Sequence, residues 1–265
     1  IRSLTSLRSP SLVFIARILR LGTMTLQRQL GTFYCSVIQT LKRRPKSNPR
    51  QAAKRTVNGA ETTSDRVLND VKMSRRRVGI FGGSFDPPHM GHVSVAREVL
   101  EALALDELVW VPAFCSPHKL EAKQTAPIIR LDMVREATLD EPRFLVDDCE
   151  IVRKGLSYTV DTLREIKGGA GGESSEILLI MGADQYAFFD RWREPQSIRE
   201  LAKIVVLDRE GRTGVEEVGV LRVPVKRVDI SSTEVRAKIA CGDSVRGWVP
   251  DGVALIIERE GLYRP

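Results

Sequence analysis

Residues 78–92 read VGIFGGSFDPPHMGH, and this stretch decides the fold. Its first five residues are apolar or small and predict a buried strand, after which Gly82, Gly83 and Ser84 form a turn. Glycines allow the backbone N–H groups of such a turn to approach phosphate oxygens closely. The glycine spacing does not fit GxGxxG, so the dinucleotide fingerprint of dehydrogenases is absent. The stretch therefore predicts a phosphate-binding turn after the first strand.

Two histidines, His89 and His92, close this stretch, and the chain contains only one other. Their spacing at the start of a predicted helix places both rings on one face at the helix N-terminus, where anions are favoured. Gly91 between them has no side chain that would block a ligand. Paired histidines also bind zinc, but Asp86 is the only other ligand type at a suitable spacing. We therefore expect the two rings to contact phosphate.

From Met73 onward, short β-branched runs alternate with amphipathic stretches, a pattern typical of a parallel sheet covered on both faces. The predicted strands are 78–82, 108–112, 144–148, 177–182, 204–208 and 219–223. The predicted helices are 93–103, 127–139, 159–166, 195–201, 233–240 and 250–260. We predict one α/β domain with a doubly wound parallel sheet, a Rossmann-like fold. Ligands of such sheets bind beyond the carboxyl ends of the strands.

The positive charge of the chain is confined to its first part. The chain has 41 Lys and Arg against 34 Asp and Glu, of which 14 and 3 lie in residues 1–72, leaving 27 and 31 in residues 73–265. The first part is also rich in Ser and poor in acids, and we expect it to be disordered. A translated leader absent from the native protein is the favoured interpretation, ahead of an organelle transit peptide and of a basic tail that binds RNA or membranes.

Composition excludes several other classes of protein. The four cysteines form no CxxC pair, which argues against a zinc site or a disulfide framework and favours a reducing compartment such as the cytoplasm. The most apolar early stretch, residues 11–21, contains two arginines and is too short for a membrane span. The mildly acidic body predicts no nucleic-acid groove. The sequence gives no indication of oligomeric state.

The motif GGSFDPPHMGH resembles the GGxFDPxHxGH signature of the bacterial nicotinate-nucleotide adenylyltransferases, within the HxGH nucleotidyltransferase superfamily. The resemblance implies that Phe85 joins the turn residues at ATP. Phosphopantetheine adenylyltransferase, pantothenate synthetase and cytidylyltransferases share the superfamily pattern. Four segments later in the chain favour the nicotinate-nucleotide family among these enzymes.

Two segments resemble those with which that family binds the acceptor of the adenylyl group, nicotinate mononucleotide. Residues 116–119, SPHK, are similar to its PPHK or PPHR, and they imply that His118 and Lys119 offset the charge of two phosphorylated substrates. A chance lysine in an exposed loop is the alternative. Residues 157–163, SYTVDTL, are similar to SYTxxTL, and they imply that backbone amides near Tyr158 and Thr159 receive the nicotinate carboxylate. Ser and Thr are also ordinary helix caps.

Two further segments complete the resemblance. Residues 181–184, MGAD, followed by Trp192, are similar to the family's GxD…W, in which the Asp, here Asp184, contacts the nucleotide and the Trp stacks on the pyridine ring. Trp192 in the core is the alternative. Residues 230–236, ISSTEVR, are similar to ISSTEIR, in which hydroxyls at a helix start and an arginine cradle the β- and γ-phosphates.

The resemblance implies adenylyl transfer from ATP to nicotinate mononucleotide in NAD biosynthesis, with Mg²⁺ bridging the phosphates and no protein-built metal site. The implied ATP-binding residues are Gly82, Gly83, Ser84, Phe85, His89, His92, Ser231, Ser232, Thr233 and Arg236. The implied acceptor residues are His118, Lys119, Tyr158, Thr159, Asp184 and Trp192. The implied catalytic residues are His89, His92, Lys119, Asp184 and Arg236. The alternatives are another HxGH adenylyltransferase and a nucleotide-binding protein without catalysis.

Overall fold

The computed structural model describes residues 75–117, 124–169, 172, 174–208, 218–226 and 228–265. The predictions for residues 1–72, and for His118 and Lys119, lie outside these ranges. Six parallel strands form one sheet in the order β3-β2-β1-β4-β5-β6. Their bounds are β1 Arg77–Gly83, β2 Glu107–Pro112, β3 Phe144–Val146, β4 Glu176–Gly182, β5 Lys203–Asp208 and β6 Val220–Pro224. The predicted doubly wound fold is confirmed, and its order reverses between β1 and β4.

Alternate residues of the inner strands enter two separate apolar layers. In β4, Leu178 and Ile180 belong to one cluster, whereas Leu179 and Met181 belong to the other. This period of two follows from the pleat, and it explains why the strands are apolar throughout. Both faces of the sheet are therefore buried under helices.

Eight α-helices cover the sheet in the described part of the chain. They are α1 Met90–Ala102, α2 Pro127–Ala137, α3 Cys149–Arg153, α4 Thr159–Gly168, α5 Ala183–Tyr186, α6 Pro195–Leu201, α7 Ser232–Ala240 and α8 Asp251–Arg259, with a 3₁₀ turn at Phe189–Arg191. None of them combines the length and apolar character that a bilayer crossing requires.

Two of the predicted boundaries that differ from the structure do so for identifiable reasons. The third strand ends at Val146 rather than at residue 148, because the Asp147 carboxylate accepts a hydrogen bond from the amide of Cys149 (2.9 Å) and Asp148 begins the unpredicted helix α3. The first helix begins at Met90 rather than at residue 93, because His89 is its N-cap. The histidine pair therefore straddles the helix start.

Candidate functional site

Close packing at two residues, Gly83 and Phe85, shapes the turn after β1. Phe85 adopts the left-handed conformation (φ 48°) and is buried, with its ring against Phe81 and Trp110. A Cβ on Gly83 would lie 2.9 Å from that ring, whereas a Cβ on Gly82 would meet nothing within 4 Å. Gly83 is thus required for the turn to close over Phe85, and Gly82 faces open space. The backbone beside that space is accessible to a ligand.

His89 and His92 lie together at the start of α1, with ring centroids 3.7 Å apart. The amide of His89 donates to Nδ1 of His92 (3.2 Å), which leaves Nε2 as the protonated nitrogen of a neutral His92 ring. The ring of His92 also packs edge-on against Phe85 at 5.2 Å. Backbone and apolar contacts together fix the orientation of His92.

Gly91 has a packing role that the sequence did not indicate. A Cβ at this position would lie 3.0 Å from the His89 ring and 3.3 Å from the carbonyl oxygen of Ile230. The prediction was that Gly91 leaves room for a ligand between the histidines. That remains a prediction, and the structure adds that the missing side chain allows the segment before α7 to approach the histidine pair.

Helix α7 is fastened to the turn by the residues that open it. Ser231 caps the helix in a capping box with Glu234. The Ser232 hydroxyl donates to the carbonyl oxygen of Pro87 (2.9 Å), and Arg236 donates from Nη1 to the carbonyl oxygen of Asp86 (2.8 Å) and from Nη2 to the Thr233 hydroxyl (3.2 Å). The structure therefore brings the ISSTEVR segment and the histidine motif together, although residue 232 lies far along the chain.

Arg130 is fully buried and holds three loops in place. Its guanidinium donates to the carbonyl oxygens of Ser84 (2.7 Å), Phe114 (2.8 Å) and Thr125 (2.9 Å). Burial lowers its pKa, and the nearby Asp86 carboxylate partly opposes that effect. The sequence reasoning missed this residue. A signal was present, since position 130 lies on the helix face that buries Met133 and Val134.

A cavity of about 490 Å³ opens at the reversal of strand order. Residues of β1 and β4 form part of its lining, at the place where ligands of doubly wound sheets bind. Of the predicted site residues, it is lined by Gly82, Gly83, Ser84, Tyr158, Thr159, Asp184 and Trp192. It is not lined by His89, His92, Arg236 or the hydroxyls of α7. The predicted residues therefore form two groups, and the GGSFDPPHMGH stretch connects them, since its glycines line the cavity and its Asp86 and Pro87 contact the start of α7.

The amides of Tyr158 and Thr159 at the start of α4 donate to no acceptor in the described part of the chain. The preceding amide, that of Ser157, donates to the carbonyl oxygen of Cys115 (2.9 Å), and the Ser157 hydroxyl accepts from the amide of Phe114 (2.9 Å). The loop after β2 is thereby tied to the helix start. Two backbone donors remain at the cavity wall, an arrangement suited to an anion.

Glu150 is a buried acid at the cavity that the sequence reasoning missed. Its Oε1 accepts from the Thr162 hydroxyl (2.5 Å), which in turn accepts from Arg153 (2.8 Å). Burial raises the pKa of Glu150, and the hydrogen bonds from the Ser157 and Thr162 hydroxyls partly oppose that rise.

Trp192 is half-buried, and it belongs both to the core and to the cleft. One part of the ring packs on the buried Phe189, at 5.5 Å between centroids, while the residue lines the cavity. Arg191 and Arg193 line the same cavity, and the Arg193 guanidinium lies over the Tyr158 ring at 4.7 Å. An aromatic residue and two arginines therefore line one space.

Comparison with known proteins gives the same assignment as the motifs. A family model described as Cytidylyltransferase-like matches residues 80–238. The "Probable nicotinate-nucleotide adenylyltransferase" of Shouchella clausii is 39% identical over 188 residues, 71% of this chain and 97% of that protein. The protein of the same name from Thermus thermophilus is 42% identical over 190 residues, 71% of this chain and 100% of that protein. The chain belongs to the nicotinate-nucleotide adenylyltransferase family. It is therefore an enzyme of the nucleotidyltransferase class.

A solved structure shares the fold of this family member. The nicotinic acid mononucleotide adenylyltransferase of Plasmodium falciparum, complexed with NaAD, has a TM-score of 0.60 and 17% sequence identity, and it covers 71% of this chain and 98% of that chain. At this identity the likeness concerns the fold alone. The matched range 80–238 runs from β1 into α7, so it contains both groups of site residues.

Proposed function

We propose that this chain transfers the adenylyl group of ATP to nicotinate mononucleotide, forming nicotinate adenine dinucleotide and pyrophosphate. The observation that carries the proposal is that the GGSFDPPHMGH stretch borders two sites, the cavity through Gly82 to Ser84 and the start of α7 through Asp86 and Pro87. The start of α7 lies beside the histidine pair, and the cavity lies at the strand reversal. A transferase that joins two nucleotides requires such a pair of adjacent sites.

The histidine side suits the triphosphate. The start of α1, the start of α7 and the Arg236 guanidinium all supply donors or positive charge within a small region. We assign His92, through the N–H of Nε2, and Arg236 to the phosphates of ATP. His89, which is only 6% exposed, then acts mainly by fixing the start of the helix and the His92 ring.

The cavity suits the acceptor. Trp192 offers a flat surface for a pyridine ring, and the amides of Tyr158 and Thr159 offer two donors for its carboxylate. Asp184 lines the same cavity and suits the ribose hydroxyls as a hydrogen-bond acceptor. His118 and Lys119 remain predictions for the acceptor phosphate.

The reaction needs positioning more than acid–base chemistry. An ionised phosphate oxygen of the acceptor attacks the α-phosphorus of ATP, the bond between that phosphorus and the bridging oxygen breaks, and pyrophosphate leaves with the electron pair. No proton has to move in this step. The protein holds the two phosphates in line and stabilises the negative charge that develops on the leaving group.

Magnesium fits this site as part of the substrate. Among the described residues, no three His, Cys, Asp or Glu side chains are grouped closely enough to hold a metal ion. The carboxylate within the motif, that of Asp86, already accepts hydrogen bonds on both oxygens. We therefore propose that the ion enters as the Mg²⁺ complex of ATP, held by phosphate oxygens and water.

Pyrophosphate release tests the proposal directly. The purified chain is supplied with Mg²⁺ and ATP and with nicotinate mononucleotide, nicotinamide mononucleotide or phosphopantetheine. We expect rapid release with the first acceptor. Release with phosphopantetheine alone would establish the other adenylyltransferase activity, and ATP binding without release would indicate a binding protein.

The variant His92→Asn separates phosphate contact from folding. The asparagine carbonyl oxygen can accept the His89 amide as Nδ1 does, but nothing replaces the donor at Nε2. We expect turnover to fall by at least about 100-fold, as for other donors to developing phosphate or oxyanion charge. Thermal stability is expected to be unchanged, and wild-type turnover would refute the assignment.

The extent of the catalytic unit is part of the proposal. We propose that residues 73–265 form the nucleotidyltransferase domain, because the matched range and both sites lie within it. We also propose the cytoplasm as its location, which agrees with the free thiols of Cys115, Cys149 and Cys241.

A further inference from the structure

Asp86, in the middle of the GGSFDPPHMGH stretch, is held from three distant parts of the chain. Its Oδ1 accepts from the Tyr263 hydroxyl (2.6 Å), and its Oδ2 accepts from the amide of Thr125 (3.1 Å). Its carbonyl oxygen accepts from Arg236 (2.8 Å). The carboxylate is buried, so both of its oxygens are satisfied within the protein.

The direction of each hydrogen bond in this group is fixed. The Thr125 hydroxyl donates to the Tyr263 oxygen (3.1 Å), so the proton of Tyr263 is directed to Asp86. Burial and the bond to Asp86 both raise the pKa of Tyr263, which keeps the phenol protonated. Tyr263 is therefore a permanent donor to a charged acceptor, the stronger kind of hydrogen bond.

The position of Tyr263 is set by the turn that follows α8. The amides of Gly261 and Leu262 donate back to the carbonyl oxygens of Glu258 and Ile257 (3.2 and 3.0 Å), and Tyr263 adopts the left-handed conformation (φ 63°). A tyrosine in this conformation is uncommon and is retained only where surrounding contacts fix it. The chain reverses direction after α8, which brings the Tyr263 hydroxyl to Asp86 in the stretch after β1.

Without these hydrogen bonds, the acidic side chain of Asp86 would oppose the binding of ATP. An ionised carboxylate beside the proposed phosphate site repels a triphosphate and competes with it for Arg236. With both oxygens bound by Tyr263 and Thr125, Asp86 offers Arg236 only its neutral carbonyl oxygen. The guanidinium then keeps its charge available for phosphate.

We propose that Tyr263 is a positioning residue for the ATP site, which acts by holding the Asp86 carboxylate away from Arg236 and the phosphates. The inference rests on the proposed function for the location of ATP. It adds a residue outside the matched range 80–238 to the machinery of adenylyl transfer. It also explains why the turn tolerates an aspartate.

The test is Tyr263→Phe in the full chain, which removes one oxygen atom and keeps the ring. We expect Kd and KM for ATP to rise about tenfold, the effect of losing one hydrogen bond to a charged group. KM for nicotinate mononucleotide is expected to change little, whereas the buried Asp86 oxygen that loses its donor should lower the melting temperature by about 2–12 °C. Tyr186→Phe is the matched control, because its hydroxyl contacts Arg199 (3.4 Å) and lies outside both groups of site residues; we expect no change in either constant.

A double variant tests whether Tyr263 acts through Asp86. In Asp86→Asn the negative charge is gone, so the further loss of the Tyr263 hydroxyl should raise Kd for ATP less than about twofold. Additive effects of the two substitutions would overturn the inference. A parallel rise of both KM values would also overturn it, since that result indicates a general structural role.

Two separate measurements distinguish a failure of this inference from a failure of the proposed function. Kd for ATP is measured by titration calorimetry without an acceptor, so it does not depend on turnover. A wild-type chain that binds ATP but releases no pyrophosphate refutes the proposed function, and Tyr263 is still judged on Kd. If Tyr263→Phe does not fold, Thr125→Val is used, which removes the hydroxyl that orients Tyr263 and keeps the backbone donor. A smaller rise in Kd for ATP is expected, and an unchanged Kd would overturn the inference.

Discussion

Replacing Arg130 by lysine is the sharpest test of how the loops around the site are held. The substitution keeps the positive charge at a fully buried position and removes the forked geometry of the guanidinium. A lysine ammonium can reach at most one of the three carbonyl oxygens of Ser84, Phe114 and Thr125 in the same geometry. Two acceptors therefore lose their donors beside a fully buried side chain.

The expected cost follows from those two acceptors. Each buried polar group left without its partner costs about 1–3 kcal/mol, so the free energy of unfolding should fall by about 2–6 kcal/mol. For a domain of this size each kcal/mol lowers the melting temperature by about 2–4 °C, which gives a fall of about 4–24 °C. Turnover should fall as well, because Ser84 lines the cavity.

Thermal unfolding followed by circular dichroism measures this change. The control is Arg135→Lys on the same helix, whose exposed ion pairs with Asp132 (3.1 Å) and Asp148 (3.3 Å) are expected to contribute less than about 1 kcal/mol. If Arg130→Lys melts within about 2 °C of the wild type, the loops are not held by this guanidinium and the reasoning fails.

Three further outcomes are expected. Trp192→Ala should raise KM for nicotinate mononucleotide about tenfold through lost stacking and leave KM for ATP unchanged, and equal rises in steady-state kinetics would contradict its place in the cavity. Burial raises the pKa of Glu150, so protonation of this carboxyl stabilises the folded state, and that contribution is lost as the pH rises through the raised pKa. The melting temperature of Glu150→Gln minus that of the wild type should therefore increase from about pH 4 to about pH 7. A difference that stays constant with pH would argue against a raised pKa of Glu150. Burial also raises the pKa of the Cys149 thiol, so iodoacetamide should label it after the exposed Cys241, as mass spectrometry of timed samples can show.

The four inner strands of the sheet were predictable because they are buried on both faces and are short apolar runs. Strand β5, for example, was placed within one residue of its observed start at Lys203. The five-residue helix Cys149–Arg153 was not predictable, because so short a segment shows no helical period and depends on local bonds to Asp147. Local pattern therefore determines the long elements, whereas side-chain hydrogen bonds determine the short ones.

The same division applies to the site. The histidine pair, the SYT segment and the ISSTEVR segment each carry their pattern within a few residues, so each could be found in the sequence. The contact between Asp86 and Tyr263 joins residues 177 positions apart, and no local pattern contains it. The partners of Arg130 are backbone carbonyl oxygens, which have no sequence signature of their own.

The hydrogen bond from the His89 amide to Nδ1 of His92 also provides a spectroscopic reporter. It fixes one tautomer of the neutral ring, with its own proton on Nε2, and the two imidazole nitrogens then differ widely in ¹⁵N chemical shift. Because the chain has three histidines, a labelled sample gives three ring systems, and the His92→Asn variant identifies one of them. On addition of ATP, the Nε2 signal of His92 should shift more than its Nδ1 signal. The ring would thus record the arrival of the triphosphate in a sample that contains no acceptor and undergoes no turnover.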